Sequence, residues 1–288
     1  MASLKELKLR LSSIRSTQKI TAAMKMVSSA KLHRAQALTG QTLIYANQLD
    51  TILKGLLSAE HDLESPLIKQ RPVKRVAVVA FSSSTGLCGT FNANVWKALS
   101  EMIQNYKAKN IETRLYPIGK KIANELRRTN EPFVPDFISY GERPTYERAV
   151  DLAGHLMKAF LEGEVDQVVL LFHHFKSTAT QVLTRKSYLP LALENTDDAN
   201  APEFKTDYIL EPSMESLCAR LFPKLLNLTI YTTLLDTTTS EHAARMMAMQ
   251  TANDNANELI QELTLQYNKT RQQAITNELL DIMGGRTN

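Results

Sequence analysis

Cysteine is almost missing from this chain of 288 residues: Cys88 and Cys218 are the two present. That is too few for a disulfide framework or a Cys-based metal site, and a reducing compartment is the simplest reading. Long apolar runs are missing too. The longest, Val76–Phe81 and Val168–Phe172, fall far short of the roughly 20 residues that cross a bilayer, so no direct bilayer insertion is expected. Charge appears at once in Lys5, Glu6 and Lys8 with no apolar signal core behind it, which argues against a leader peptide. Proline is absent before Pro66 and after Pro223, and no glycine lies between Gly163 and Gly284. Since these two residues are the main local helix breakers, both ends are free to be long helices and the turns belong to the middle. Acid is scarce at the start: from Met1 to Arg34 there are eight bases and one acid, Glu6.

What is present is otherwise average. Apolar residues make up 43% and charged residues 22%, with a net charge of +4, which excludes wholesale disorder. The basic start suits an acidic partner, or is a solvated helix face. In the N-terminal segment Leu4, Leu7, Leu11 and Ile14 recur at spacings of 3, 4 and 3, a coiled-coil seam. The stripe is then expected to move to Ile20, Met24 and Val27, marking a stutter or a change of partner surface. The C-terminal segment carries Leu217, Leu221, Leu225, Leu228 and Leu235, then Ile260, Leu263 and Tyr267. Propensity alone would break it at the polar run Thr237–Ser240, where Thr238 and Glu241 have capping-box spacing. The pattern resumes in phase, however, which favours one continuous helix. Pro223 is expected to kink it or mark its start.

Between the ends, strands alternate with helices: Arg75–Phe81, a helix near Ala93–Lys107, Thr113–Ile118, a short helix over Gly119–Arg128, a weak strand at Phe133–Ile138, a helix over Thr145–Leu161, and Asp166–Phe175 paired with Thr178–Lys186 as a hairpin. That order predicts an α/β domain with a mostly parallel sheet. Leu193–Phe204 reads as a loop. The fold class read from the residues is α/β with long helices: long N- and C-terminal helices (residues 1–60 and 211–288) flanking an α/β domain (residues 72–210).

No catalytic constellation assembles. The turn Gly86–Asn92 opens a helix, where backbone amides can hold phosphate, but no Gly-x-x-x-x-Gly-Lys-Ser/Thr occurs, and a tight turn needing small residues accounts for it equally. His173 and His174 are neighbours on a strand and point to opposite faces, a poor metal site. No catalytic residue, cofactor or metal ligand is expected, and the sequence argues for a mechanical or scaffolding role. Two other classes stay open: a basic coiled-coil nucleic-acid-binding protein, disfavoured because Tyr45 is the sole aromatic of the first helix, and a nucleotide-binding α/β enzyme using the Gly86–Asn92 turn.

Three segments together carry a resemblance: Ser16–Lys31 (STQKITAAMKMVSSAK), Gly86–Gly89 (GLCG) with Asn92, and the pair Ser240–Met249 (SEHAARMMAM) and Tyr267–Gly285 (YNKTRQQAITNELLDIMGG). The chain resembles the gamma subunit of a rotary F-type ATP synthase of bacterial type, over its whole length and in order. It departs from that family in the Ser82–Thr85 run before the turn, in Thr90, in Arg286 and in Pro223. The resemblance implies the central rotor shaft of a proton-driven complex, built as an antiparallel coiled coil of the N- and C-terminal helices plus a Rossmann-like α/β domain at its base. The partners would be the alpha and beta subunits of the catalytic head, the epsilon subunit and the membrane c-subunit ring, with no nucleic acid. The place implied is peripheral, on the cytoplasmic face of the bacterial inner membrane. The chain itself would be non-catalytic and the complex would carry the activity. Partner contacts are expected at Met24 and Lys25, at Arg245, Arg271 and Gln272, and at the apolar tip residues Ile275, Leu279 and Ile282. If the two terminal helices run antiparallel, paired residue numbers are expected to sum to about 270, with Leu7 near Leu263 and Arg271–Gly285 projecting alone.

Overall fold

The computed structural model describes residues 3–59, 65–191 and 214–284. Helix α1 runs Leu4–Ala59, followed by β1 (Arg75–Phe81), α2 (Phe91–Ala108), β2 (Glu112–Ile118), α3 (Lys120–Arg128), a short 3-10 turn at Ile138–Gly141, α4 (Tyr146–Leu161), β3 (Gln167–Phe175), β4 (Gln181–Leu189) and α5 (Met214–Gly284). Contacts group these into two compact units, Met1–Ala30 with Arg245–Asn288, and Lys31–Ala244.

In the larger unit the sheet has the order β2-β1-β3-β4. Strand β1 is parallel to both β2 and β3, and β4 returns antiparallel along β3. Both faces are covered, which is why β1 and β3 read as unbroken apolar runs rather than alternating ones. Val76, Val78, Ala80, Val169 and Leu171 pack with Val95, Leu99 and Ile103 of α2 and Ile122 and Leu126 of α3. Ala77, Val79, Phe81, Leu170 and Phe172 pack with Leu152, Leu156 and Phe160 of α4 and with α1 and α5 through Leu49, Leu53, Phe222, Leu226 and Leu234. The weak strand expected at Phe133–Ile138 is reduced to a single bridge between Leu115 and Phe133, with the 3-10 turn beginning at Ile138. Pro135 in its middle has no N–H to give a ladder. The hairpin is present and its return strand extends to Leu189. The loop expected at Leu193–Phe204 lies outside the described residues.

Helix α5 is continuous through both suspected breaks. Pro223 sits inside it, and the buried Phe222 and Leu226 on either side offset a cost of about 3 kcal/mol for the lost backbone bond. The run Thr237–Ser240 is largely buried rather than a cap. Thr238 and Thr239 donate to the carbonyls of Leu234 and Leu235 one turn back.

The seam of α1 differs from the sequence expectation. It runs through the buried and half-buried positions Leu4, Leu7, Leu11, Ile14, Gln18, Thr21, Lys25, Ser28, Leu32, Ala35, Thr39, Thr42, Ala46, Leu49 and Leu53. The 3-4 spacing is therefore unbroken, with no stutter; the residues change from leucine to small and polar, and the geometry does not. Polar cross-helix bonds set the register. In the smaller unit Gln18 Nε2 donates to Asn257 Oδ1; in the larger the Thr39 and Thr239 hydroxyls share a hydrogen bond of 3.1 Å. Those pairs sum to 275 and 278 rather than about 270. Leu7 and Leu263 are both buried but lie more than one helical turn out of level, and Met24 is level with about Thr251 rather than Met246. The last half-buried position of α5 is Ala274, so the unpaired tip begins at Ile275 and not at Arg271.

Candidate partner-contact surfaces

The end of α5 carries a cluster of exposed apolar side chains. Ile275, Leu279, Leu280, Ile282 and Met283 are 48%, 56%, 60%, 69% and 71% exposed. Nothing in the smaller unit covers them, and a clustered apolar patch of this kind marks an interaction site. Arg271 and Gln272 are also exposed, immediately before the tip.

A second apolar stripe includes Ile20 and Val27, which the sequence reading placed in the seam with Met24. Leu9, Ile20 and Val27 are exposed. At 3.6 residues per turn they fall within about 20° of one another, on the side of α1 opposite Leu7. The 3-4 spacing of Gln18, Thr21, Lys25 and Ser28 could have revealed this, because it continues the leucine seam without a shift. Met24 and Lys25 are half-buried, and Lys25 occupies a seam position. Arg245 is 8% exposed and is not the surface donor that its small neighbours suggested. The basic residues Lys8, Arg15 and Lys19 line a groove of about 560 Å³ with Leu11, Thr264, Tyr267 and Asn268. Three cations in one groove give it a positive potential that favours acidic groups.

The Gly86–Asn92 turn is braced by the Asn92 side chain. Asn92 Oδ1 accepts from the Ser83 amide at 3.0 Å, and Asn92 Nδ2 donates to Ser83 Oγ at 2.8 Å and Cys88 Sγ at 3.1 Å. Leu87 and Gly89 take left-handed conformations, at φ 62° and 59°. These bonds give Asn92 a structural role in holding the turn against the end of β1. As the alternation requires, His173 is buried and His174 is exposed. The His173 ring stacks on Phe91 with centroids 4.2 Å apart, and burial holds its pKa down to about 4. Among the described residues no group of three His, Cys, Asp or Glu side chains could hold a metal ion, and no helix is long and apolar enough to cross a membrane.

Two long helices running antiparallel and a Rossmann-like domain, with apolar and basic faces exposed on the helices, have the architecture of a stalk-like subunit. The family model described as ATP synthase matches residues 3–287. The chain is 69% identical to the ATP synthase gamma chain of Parabacteroides distasonis over 285 residues, covering 99% of this chain and 98% of that one. It is 50% identical to the gamma chain of Phocaeicola vulgatus over 286 residues, covering 99% of each, and 41% identical to that of Flavobacterium johnsoniae over 287 residues, covering 99% and 98%. Among solved structures it is similar to a chain of the Euglena gracilis mitochondrial ATP synthase (OSCP/F1/c-ring), with TM-score 0.67, 20% identity and 99% and 93% of the two chains covered. It is similar also to a chain of the Tetrahymena thermophila central stalk and c-ring, with TM-score 0.60, 25% identity and 81% and 99% covered. The chain belongs to the ATP synthase gamma-subunit family and is a non-catalytic subunit of the central stalk. That membership displaces the nucleic-acid and nucleotide-enzyme readings.

Proposed function

We propose that this chain is the rotor shaft that couples turning of a membrane c-subunit ring, driven by protons, to conformational change in a catalytic head of alpha and beta subunits. In this reading residues 1–60 and 211–288 form the shaft, and residues 72–210 form the base, which meets the epsilon subunit and the ring at the cytoplasmic face of the bacterial inner membrane. The observation that carries the reading is the bare apolar tip from Ile275 onward. A helix end of that length is marginal in water, and it suits an apolar collar in which it can turn. The Leu9–Ile20–Val27 stripe and the Lys8–Arg15–Lys19 groove supply contacts of different character at different azimuths. A shaft needs such asymmetry to favour one conformation of its surroundings at a time, because bias requires differential contacts. Met24, Lys25, Arg271 and Gln272 belong to this contact set, with Ile275, Leu279 and Ile282 in the collar.

A tagged chain expressed in its host is expected to bring down a head complex with ATPase activity. Amides of 275–284 are expected to exchange fast in the isolated chain and slowly in that complex. Recovery of the chain without an ATPase-active complex would sink the reading, as would equally fast exchange of the tip in both states. Arg271→Lys is expected to lower turnover, since a planar guanidinium makes directional paired bonds that an ammonium cannot copy; wild-type synthesis and hydrolysis rates would remove Arg271 from the contact set.

A further inference from the structure

The polar run that propensity reads as a helix break has a second use. Within the larger unit, α5 meets the C-terminal end of β3 along one turn. Asp236 Oδ1 accepts the backbone N–H of Phe175 at 2.8 Å, and Asp236 Oδ2 lies 2.7 Å from His174 Nδ1. One turn on, Ser240 Oγ donates to the carbonyl of His173 at 3.0 Å. Three consecutive residues of β3 are thus tied to α5. Between these two ties Thr239 bonds Thr39 of α1. Five residues of α5, 236–240, therefore join the sheet and both long helices.

Ser240 is fully buried, and the Asp236 side chain is 14% exposed. Polar groups in such a place cost free energy unless their partners are present, so this cluster is an expensive way to hold a helix that leucines could hold. What it adds is direction. The apolar contacts of Phe222, Leu226 and Leu234 with the sheet layer resist separation but tolerate sliding and rotation. Hydrogen bonds to fixed backbone groups of a strand do not, which is why buried polar residues can set register where apolar ones leave it open.

We infer that Asp236, supported by Ser240, is a positioning residue that locks the α/β domain against twisting about α5, so that torque delivered to the domain reaches the shaft without slip. The inference rests on the rotor reading. Asp236 touches no substrate; it acts through the attachment of the sheet. Removing it leaves the Phe175 amide and the His174 ring without their acceptor while the apolar layer stays, so the two parts remain joined and become compliant.

The test uses the assembled complex in inverted membrane vesicles, with Asp236→Ala, Asp236→Glu, Ser240→Ala and His174→Ala. In Asp236→Ala the ATPase rate of the detached head is expected to stay within about twofold of wild type, while proton pumping per ATP hydrolysed falls at least about fivefold. The Phe175 amide is expected to exchange at least about tenfold faster, the scale of losing a hydrogen bond to a charged group, while the amides of Val169–Leu171 stay protected. Asp236→Glu keeps the carboxylate and is expected to recover part of the pumping. His174→Ala leaves the Phe175 bond in place and is expected to have the smallest effect. Should Asp236→Ala fail to assemble, Ser240→Ala and His174→Ala decide, since each removes one tie. Wild-type pumping in both, or in Asp236→Ala itself, overturns the inference, and so does a parallel loss of hydrolysis and pumping. A wild-type chain that does not assemble with a head overturns the rotor reading instead.

Discussion

Gly119→Ala is expected to cost about 4 kcal/mol or more and so to remove most of the stability of a domain that has about 5–15 to lose. Gly119 ends β2 and starts α3 at φ 100° and ψ 144°, a region that side-chain-bearing residues rarely enter. A Cβ there would stand 2.2 Å from the Ser82 carbonyl oxygen and 2.7 Å from both the Ser82 carbonyl carbon and Oγ. Those atoms cannot step aside. Ser82 is tied to the end of β2 by its own N–H, which donates to the Ile118 carbonyl at 2.7 Å, and its Oγ accepts the Ile122 amide at 3.1 Å. Gly119 itself donates to the Ile138 carbonyl at 2.8 Å. The close approach of two strand ends thus depends on a missing methyl group, and the new one must break at least one of these bonds. Gly154 is the control: it lies inside α4, and a Cβ added there would meet nothing within 4 Å. Gly154→Ala is expected to stabilise by up to about 1 kcal/mol through helix propensity. Denaturant midpoints of the two variants measure the difference. If Gly119→Ala costs less than about 1 kcal/mol, the size of an ordinary surface or propensity effect, the close approach to Ser82 is not the constraint described.

How much of this was legible in the sequence varies with how local the determining physics is. Strands β1 and β3 were legible because burial on both faces needs continuous apolar runs, and Val76–Phe81 and Val168–Phe172 are those runs. The long helices were legible from missing glycine and proline. The middle of the α1 seam was not. Thr21 and Ser28 are buried while Ile20 and Val27 are exposed, the reverse of what hydropathy suggests, because small residues let two helices approach closely and leave the large apolar ones outside the seam. The spacing signal was present and the composition signal overrode it. Register failed for the same reason: pairing apolar residues favoured a sum of 270, whereas Gln18–Asn257 and Thr39–Thr239 set it. The apolar tip was legible because it needed only the end of the seam. Arg245 was not, since its burial depends on tertiary neighbours, and neither was Asp236, whose partners are 61 and 62 residues away.

Acid is expected to weaken the isolated chain through His173, by about 3 kcal/mol between pH 6.5 and pH 4. The side chain is 2% exposed on β3, stacked on Phe91, and its Nδ1 has no hydrogen-bond partner. Burial opposes the charged imidazolium and lowers the pKa from 6.5 to about 4. The sign follows from which state takes the proton. Below pH 6.5 the unfolded chain binds a proton at this histidine while the folded chain does not until about pH 4, so unfolding is favoured progressively as the pH falls through that window. At about 1.36 kcal/mol per pH unit, a gap of about 2.5 units gives roughly 3 kcal/mol. Above pH 6.5 both states are neutral and the group contributes no slope. His173→Phe keeps the stack on Phe91 and removes the titration, so its stability from pH 7 to pH 4 should fall by about 3 kcal/mol less than that of the wild type. Chemical denaturation at half-unit pH steps, on both chains, reads this directly. Parallel pH profiles for the two would mean that His173 takes its proton in the folded chain at the usual pH and that its burial does not hold.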